Sequence, residues 1–196
     1  MRKNWPYVIV VACVLITILT AYFCWWNPRT TILLVRHAER ADNTINSNLS
    51  QAGRDRADTL VAVTDESGVA AIYSTEFCRT AQTAQPVASA LGLTLNYQQS
   101  DQSLDDCEPE IEVPKTPLPE TIATAQDLVD HLLAQHRGKV IMVVGHSNTV
   151  PELIAALGQG EFATVQIDSN EFDRLFVVTV RRYFWLPRLI KVQYGN

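Results

Sequence analysis

The sequence has no excess of basic residues, no metal-binding spacing and no internal repeat, and each absence excludes a class of protein. Its 196 residues carry a net charge of −5, whereas nucleic-acid binding needs a basic surface, so we expect no nucleic-acid partner. The four cysteines and four histidines form neither a CxxC nor an HxxxH pair, which argues against a zinc motif. The arginines must therefore be interpreted one site at a time.

Charge is also missing from one long segment near the N-terminus. Residues 7–26 have the sequence YVIVVACVLITILTAYFCWW, in which no residue is charged. At about 1.5 Å per residue, a helix of this length spans about 30 Å, the thickness of a bilayer's hydrocarbon core. Aromatic residues lie at both of its ends, where the headgroup region favours them. We therefore predict a membrane anchor over residues 1–28 and one domain over residues 29–196.

The residues before the apolar segment predict its orientation. Arg2 and Lys3 should stay in the cytoplasm by the positive-inside rule, so the domain should be periplasmic or extracellular. A cleaved signal peptide and a buried core helix are the alternatives. The apolar stretch of a signal peptide is shorter and ends in small residues, whereas this one ends in bulky aromatic residues, so we favour an uncleaved single-pass anchor.

The few cysteines divide between the two regions. Cys13 and Cys24 lie in the predicted anchor, and Cys78 and Cys107 lie in the domain. Outside the cytoplasm a disulfide between the latter two is permitted, but two separate buried thiols are equally compatible with the sequence.

Beyond the anchor, apolar strands alternate with amphipathic helices. Strands are predicted at Thr31–Val35, Val69–Tyr73, Leu93–Tyr97, Val140–Val144, Leu175–Val180 and Leu189–Val192. Helices are predicted at Leu49–Val63, Glu76–Leu91, residues 122–136 and after a capping box formed by Thr149 and Glu152. Residues 98–119 are polar and rich in proline, which predicts irregular structure. The alternation predicts an α/β domain with three layers, α/β/α, around a mostly parallel sheet.

Polar clusters follow three of the predicted strands. They comprise residues 36–39, 74–80 and 145–148. Ligands of such sheets bind outside the carboxyl ends of the strands, so we expect Arg36, His37, Arg79 and His146 to lie close together.

This set of residues is suited to phosphate chemistry. Guanidiniums bind phosphate oxygens, and a neutral imidazole at His37 can attack phosphorus and carry the phosphoryl group. His146 can donate a hydrogen bond to the transferring oxygens, and Gly145 would allow the backbone to approach them. Asn148 either binds a phosphate oxygen or only caps the following helix. Because side chains supply the positive charge, we expect neither a metal nor a cofactor.

The clusters resemble the histidine phosphatase superfamily, which is also called phosphoglycerate-mutase-like. Val35-Arg36-His37-Ala38-Glu39 matches its RHG signature, with alanine in place of glycine, and Leu49-Ser50-x-x-Gly53 matches its L-[ST]-x-x-G element. Residues 73–84 match its S-x-x-x-x-R-[AT]-x-x-T-A element. Residues 144–147 match its GH[SG] element. The matches run in family order over roughly residues 31–180.

The resemblance implies roles for four residues: His37 as nucleophile, His146 as second catalytic histidine, and Arg36 and Arg79 as phosphate clamps. The proton donor is less defined. One branch of the family has an aspartate directly after the second histidine, where this chain has Ser147. The other has an acid after the third strand, where we favour Asp105 among four acids, although a solvated loop is equally compatible with them.

The predicted function is a metal-independent phosphomonoesterase that forms a phosphohistidine on His37. The first alternative is a phosphoglycerate-mutase-type phosphotransferase, which would need a longer insertion to shelter the phosphohistidine from water. The second is a phosphate-binding domain that has lost catalysis. The expected partners are the membrane, through residues 7–26, and a phosphorylated substrate whose class the sequence does not identify.

Overall fold

A computed structural model describes residues 5–181 and 186–195. Its helices are α1 (Trp5–Trp26), α2 (Gln51–Thr64), α3 (Cys78–Leu91), α4 (Ala125–Gln135) and α5 (Thr149–Leu157), with a short 3-10 helix at Leu104–Asp106. Its strands are β1 (Thr30–Arg36), β2 (Val69–Ser74), β3 (Leu95–Tyr97), β4 (Lys115–Pro117), β5 (Val140–Gly145), β6 (Arg174–Val180) and β7 (Arg188–Gln193).

The strands form one seven-stranded sheet in the order β4-β3-β2-β5-β1-β6-β7. The first five strands are parallel to one another, and β6 and β7 are antiparallel additions at one edge. The predicted three-layer α/β/α fold with a mostly parallel sheet is therefore confirmed.

The alternation of side chains along β1 explains why helices cover both faces. Ile32 and Leu34 pack into the cluster formed with α4 and α5, whereas Leu33 and Val35 pack into the cluster formed with α2 and α3. Successive side chains of a strand point to opposite faces, so a continuous apolar run needs a hydrophobic layer on each side.

Two local predictions are wrong. Residues 98–119 are not wholly irregular, because β4 pairs in parallel with β3 at the sheet edge, where the proline in Lys115–Pro117 is tolerated. Thr149 does not open a capping box either. It is the first residue of α5, its Oγ1 accepts a hydrogen bond from the peptide nitrogen of His146 at 2.8 Å, and Asn148 is the N-cap residue.

The loop after β3 is tied to α3 by a disulfide. Cys78 is the first residue of α3, and its Sγ is bonded to that of Cys107. The disulfide alternative for this pair is therefore confirmed. The bond holds residues 98–119 against the side of the domain formed by α3.

Helix α1 is long and apolar enough to cross a membrane. An 18-residue window from Trp5 to Tyr22 has a mean hydropathy of 2.1, and none of it is buried against the domain. Arg2 and Lys3, on which the predicted orientation depends, lie outside the described residues.

Candidate active site

The candidate site lies where β1, β2 and β5 end, because β5 is hydrogen-bonded between the other two strands. The peptide nitrogen of His37 donates to the carbonyl of Gly145 at 2.8 Å and so joins two of these ends. The strand ends line a cavity of about 630 Å³. Five of the six predicted site residues line it: Arg36, His37, Arg79, His146 and Asn148.

One hydrogen bond determines the tautomer of His37. Its Nδ1 lies 2.7 Å from the carbonyl oxygen of Ala38. A carbonyl can only accept, so Nδ1 carries the hydrogen and Nε2 of the neutral ring keeps its lone pair. Burial is the main cause that lowers the pKa of His37 to about 3, and His146, Arg36 and Arg79 lower it further, against the opposing effect of the Ala38 bond. The ring is therefore neutral at pH 7, with Nε2 available as a nucleophile.

His146 lies beside His37, with 5.2 Å between the ring centroids. Its Nε2 is hydrogen-bonded to the hydroxyl of Thr75 at 2.9 Å, and that hydroxyl also contacts the hydroxyl of Thr80. Burial, followed by the charges of Arg79, Arg36 and Arg40, lowers the pKa of His146 to about 3. In the described part of the chain, Nδ1 has no hydrogen-bond partner and is left for a ligand.

Arg36 is held in place by backbone oxygens and an aromatic ring. Its Nη1 donates to the carbonyls of Asp168, Ser169 and Glu171 at 2.8–3.1 Å. Its guanidinium carbon lies 4.1 Å from the centroid of the Phe172 ring, within range of a cation–π interaction.

Arg79 is likewise held by a backbone oxygen and an aromatic ring. Its Nη1 donates to the carbonyl of Ile45 at 2.6 Å, and its guanidinium carbon lies 4.2 Å from the centroid of the Phe77 ring. Burial lowers the pKa of both Arg36 and Arg79, but arginine remains charged at neutral pH.

Neither arginine has its charge neutralised by a direct carboxylate partner. The ion pairs among the described residues do not include Arg36 or Arg79, and the Nε atoms of both are buried without a hydrogen-bond partner. Arg40 lines the cavity as well. Arg36 is buried and Arg79 is partly buried. Positive charge with unused donors in such positions favours an anion, and the fork geometry of guanidinium matches phosphate oxygens.

The structure does not bring Asp105 into the site. Its side chain is 82% exposed, it pairs with Lys115 at 2.9 Å, and it does not line the cavity. The carboxylate that does line it is Glu76, the only acid among the described lining residues. Glu76 lies in the polar cluster that follows β2, three residues before Arg79. This closeness to a predicted phosphate-binding arginine is the signal by which the sequence could have identified it. We therefore replace Asp105 with Glu76 as the candidate proton donor.

Asn148 and Gly145, near the end of β5, differ from their expected environment. Asn148 lines the cavity but is exposed and forms no side-chain cap bond, so its side chain is free of the helix. A Cβ added to Gly145 would lie 2.7 Å from Thr149 Oγ1 and 3.1 Å from Val150 Cγ2. Glycine is therefore required here by the close start of α5, whatever ligand the backbone meets.

The remaining motif residues hold the loops of the site together. Thr83 Oγ1 accepts from the peptide nitrogen of Ala38 at 3.0 Å and donates to the carbonyl of Arg79 at 2.6 Å. A Cβ on Gly53 would overlap the carbonyl oxygen of Glu39, so this position of α2 has room only for glycine. Sequence reasoning did not assign these roles, nor those of Thr75, because they depend on contacts between distant elements.

Comparison with known families supports the resemblance. The model of the histidine phosphatase superfamily (branch 1) matches residues 32–105, which contain the first three motifs. The resemblance, and with it the prediction of a phosphatase enzyme, is confirmed. No curated protein matches the sequence significantly.

Solved structures with the same fold cover most of the chain. A protein described as mycobacterial hydrolase 1 has a TM-score of 0.57 and 16% identity, covering 86% of this chain and 99% of its own. The mycobacterial glucosyl-3-phosphoglycerate phosphatase has a TM-score of 0.56 and 17% identity, covering 77% and 90%. The phosphoserine phosphatase of Entamoeba histolytica has a TM-score of 0.53 and 16% identity, covering 85% and 97%. At these identities the similarity establishes the fold.

Proposed function

We propose that this chain of the histidine phosphatase superfamily is a metal-independent phosphomonoesterase that transfers the phosphoryl group of its substrate to His37 and then to water. The observation that carries the proposal is the state of His37. Its Nδ1 is bound to the Ala38 carbonyl, and its Nε2 is left as a neutral nucleophile in a cavity with two unneutralised arginines.

In the first half of the reaction, Arg36 and Arg79 bind the non-bridging oxygens of the phosphate. His37 Nε2 attacks phosphorus, an N–P bond forms, and the P–O bond to the leaving group breaks. The leaving oxygen takes a proton from Glu76. Burial, followed by the arginine charges, keeps the pKa of His146 low, so the ring acts in its neutral form: Nε2 accepts from the Thr75 hydroxyl and Nδ1–H donates to a phosphate oxygen.

In the second half, water attacks the phosphorus of the phosphohistidine. The water gives a proton to the Glu76 carboxylate, the N–P bond breaks, and inorganic phosphate leaves. The guanidiniums provide the positive charge that a metal ion would otherwise supply, which supports metal independence.

Access of water favours hydrolysis over mutase activity. Arg40, Asn148 and Ser169 line the cavity and are exposed, so solvent reaches it. Of residues 98–119, only Gln98 is among the described lining residues, and the disulfide holds this segment along α3. A phosphohistidine on His37 would therefore meet water. A catalytically silent domain is disfavoured because both arginines and both histidines are present.

The proposal includes attachment to a membrane through residues 7–26, with the catalytic domain periplasmic or extracellular. The exposed apolar surface of α1 supports the attachment, because nothing in the domain covers the 18-residue window. The disulfide supports the side, because such bonds persist in oxidising compartments.

Phosphate release by the full chain, purified in detergent, tests the mechanism. Hydrolysis of p-nitrophenyl phosphate should continue in EDTA, and His37→Ala should lower kcat at least about 10³-fold because the nucleophile is removed. His131→Ala, a histidine of α4 outside the cavity, is the matched control and should keep the wild-type rate. An acid-labile phosphoryl group should be trapped on the His37 peptide during turnover. Undiminished turnover by His37→Ala would contradict the mechanism.

A further inference from the structure

A second cavity, of about 140 Å³, lies between α4 and α5. It adjoins the cavity lined by His37 and the two arginines, which we call the phosphate cavity. Thr75, Gln98 and Thr149 line both cavities, so the two cavities are adjacent and share part of their walls. We refer to this space as the side cavity. It plays no part in holding the phosphate, since neither the catalytic histidines nor Arg36 or Arg79 line it.

The side cavity is mainly apolar. Leu118, Ile122, Val143 and Leu153 line it and are buried in the core, and Leu128 packs against them. Apolar cavities of roughly 150 Å³ hold a molecule the size of benzene. The side cavity is therefore large enough for one compact apolar group of about six carbons.

The negative charge at the side cavity disfavours anionic leaving groups. Glu152 is its only charged lining residue, and no lysine, arginine or histidine lines it in the described part of the chain. A leaving group with a carboxylate or a second phosphate would meet the Glu152 carboxylate without a compensating cation. An uncharged leaving group meets no such repulsion.

We infer that the side cavity binds the leaving group of the substrate, and that the preferred substrates are phosphomonoesters of alcohols with a compact, uncharged apolar group. This inference rests on the proposed function, because it assigns the alcohol side of the bond that His37 attacks. The phosphate then lies on the arginines, the ester oxygen lies near Thr75 at the junction of the cavities, and the apolar group lies among Leu118, Ile122 and Leu153.

Steady-state kinetics of the full chain in lipid nanodiscs test the inference with three substrates. Acetyl phosphate has a leaving group too small to fill the side cavity and reports phosphoryl transfer alone. Benzyl phosphate presents an apolar ring, and 3-phosphoglycerate presents a carboxylate. The kcat/KM for benzyl phosphate should exceed that for 3-phosphoglycerate at least about tenfold.

Two substitutions assign the preference to the side cavity. Ala125→Phe should fill it and lower the ratio of kcat/KM for benzyl phosphate to that for acetyl phosphate at least about tenfold, whereas Ala134→Phe, the same change on the exposed part of α4, should keep the ratio. Glu152→Gln, an exposed position of α5 that should not disturb folding, should raise kcat/KM for 3-phosphoglycerate several-fold relative to benzyl phosphate.

The outcomes separate the two proposals. Turnover of acetyl phosphate with no preference for benzyl phosphate, or with ratios that neither Ala125→Phe nor Glu152→Gln changes, would overturn the leaving-group assignment and leave the phosphatase intact. Absence of turnover with all three substrates would instead overturn the proposed function.

Discussion

At the scale of single residues, the side chains of the site are held in place by other groups of the protein. The Ala38 carbonyl determines which nitrogen of His37 is nucleophilic, and the Thr75 hydroxyl orients His146. Each clamp arginine is bound to backbone carbonyls and stacked on a phenylalanine. Fixed donors need little reorganisation when charge develops on the phosphoryl oxygens, and this is the main source of catalysis in phosphoryl transfer.

Glu76 is the residue whose role depends most on the leaving group. Glu76→Gln should lower kcat/KM, which reports only the steps up to formation of the phosphohistidine, about 10²-fold or more for benzyl phosphate, whose alkoxide needs protonation. For p-nitrophenyl phosphate the decrease should stay below about tenfold, because nitrophenolate leaves without a proton. Asp105→Asn, at the exposed residue paired with Lys115, is the control and should leave both rates unchanged. An equal decrease for both substrates would contradict proton donation by Glu76.

At the scale of elements, α3 connects the parts of the site. It begins with the disulfide at Cys78, carries Arg79, and reaches the loop after β1 through the Thr83 hydroxyl. That hydroxyl satisfies the buried peptide nitrogen of Ala38, the residue whose carbonyl binds His37. A single helix thus positions a clamp and supports the nucleophile.

Thr83→Val tests this connection, because it keeps the shape of the side chain and removes the hydroxyl. The peptide nitrogen of Ala38 would lose its partner in a buried position, so the free energy of unfolding should fall by about 1–3 kcal/mol. The kcat should fall as well, because the loop that orients His37 loosens. Thr59→Val is the matched control, since the Thr59 hydroxyl is exposed and bonds only within α2. Chemical denaturation and steady-state kinetics compare the two variants. Equal stability and equal kcat for Thr83→Val and Thr59→Val would contradict the role of the Thr83 hydroxyl.

At the scale of the whole molecule, helix α1 and the candidate site lie at opposite ends of the same strand. Helix α1 ends at Trp26, β1 begins at Thr30, and His37 follows the other end of β1. Seven residues of strand span roughly 20 Å, so the edge of the sheet that carries the candidate site is separated from the edge where α1 joins.

Fractionation and thiol labelling test attachment and side together. The proposed membrane span at residues 7–26 predicts that the chain remains in membranes after carbonate extraction. Cys78 and Cys107 should resist alkylation in freshly lysed cells until a reductant is added, because the disulfide forms outside the cytoplasm. A Cys78→Ser variant leaves Cys107 unpaired and is the positive control, because the free Cys107 thiol should be alkylated without a reductant. Release by carbonate would contradict the anchor, and two free thiols would contradict the predicted side.

The sequence alone determined the fold class, the apolar helix and the four central residues of the candidate site. Hydrophobic periodicity and helix-ending glycines are local signals, and the parallel topology they imply brings the ends of β1, β2 and β5 together. For this reason Arg36, His37, Arg79 and His146 could be named before the structure was known.

Only the tertiary structure decided which side chains complete the site. Asp105 and Glu76 are both acids that follow strands, and the sequence does not show that one pairs with Lys115 while the other lines the cavity. Strand β4 escaped prediction because three residues containing a proline have no periodicity and become a strand only by pairing with β3. The disulfide was likewise decided by the distance between two segments, which no local signal encodes.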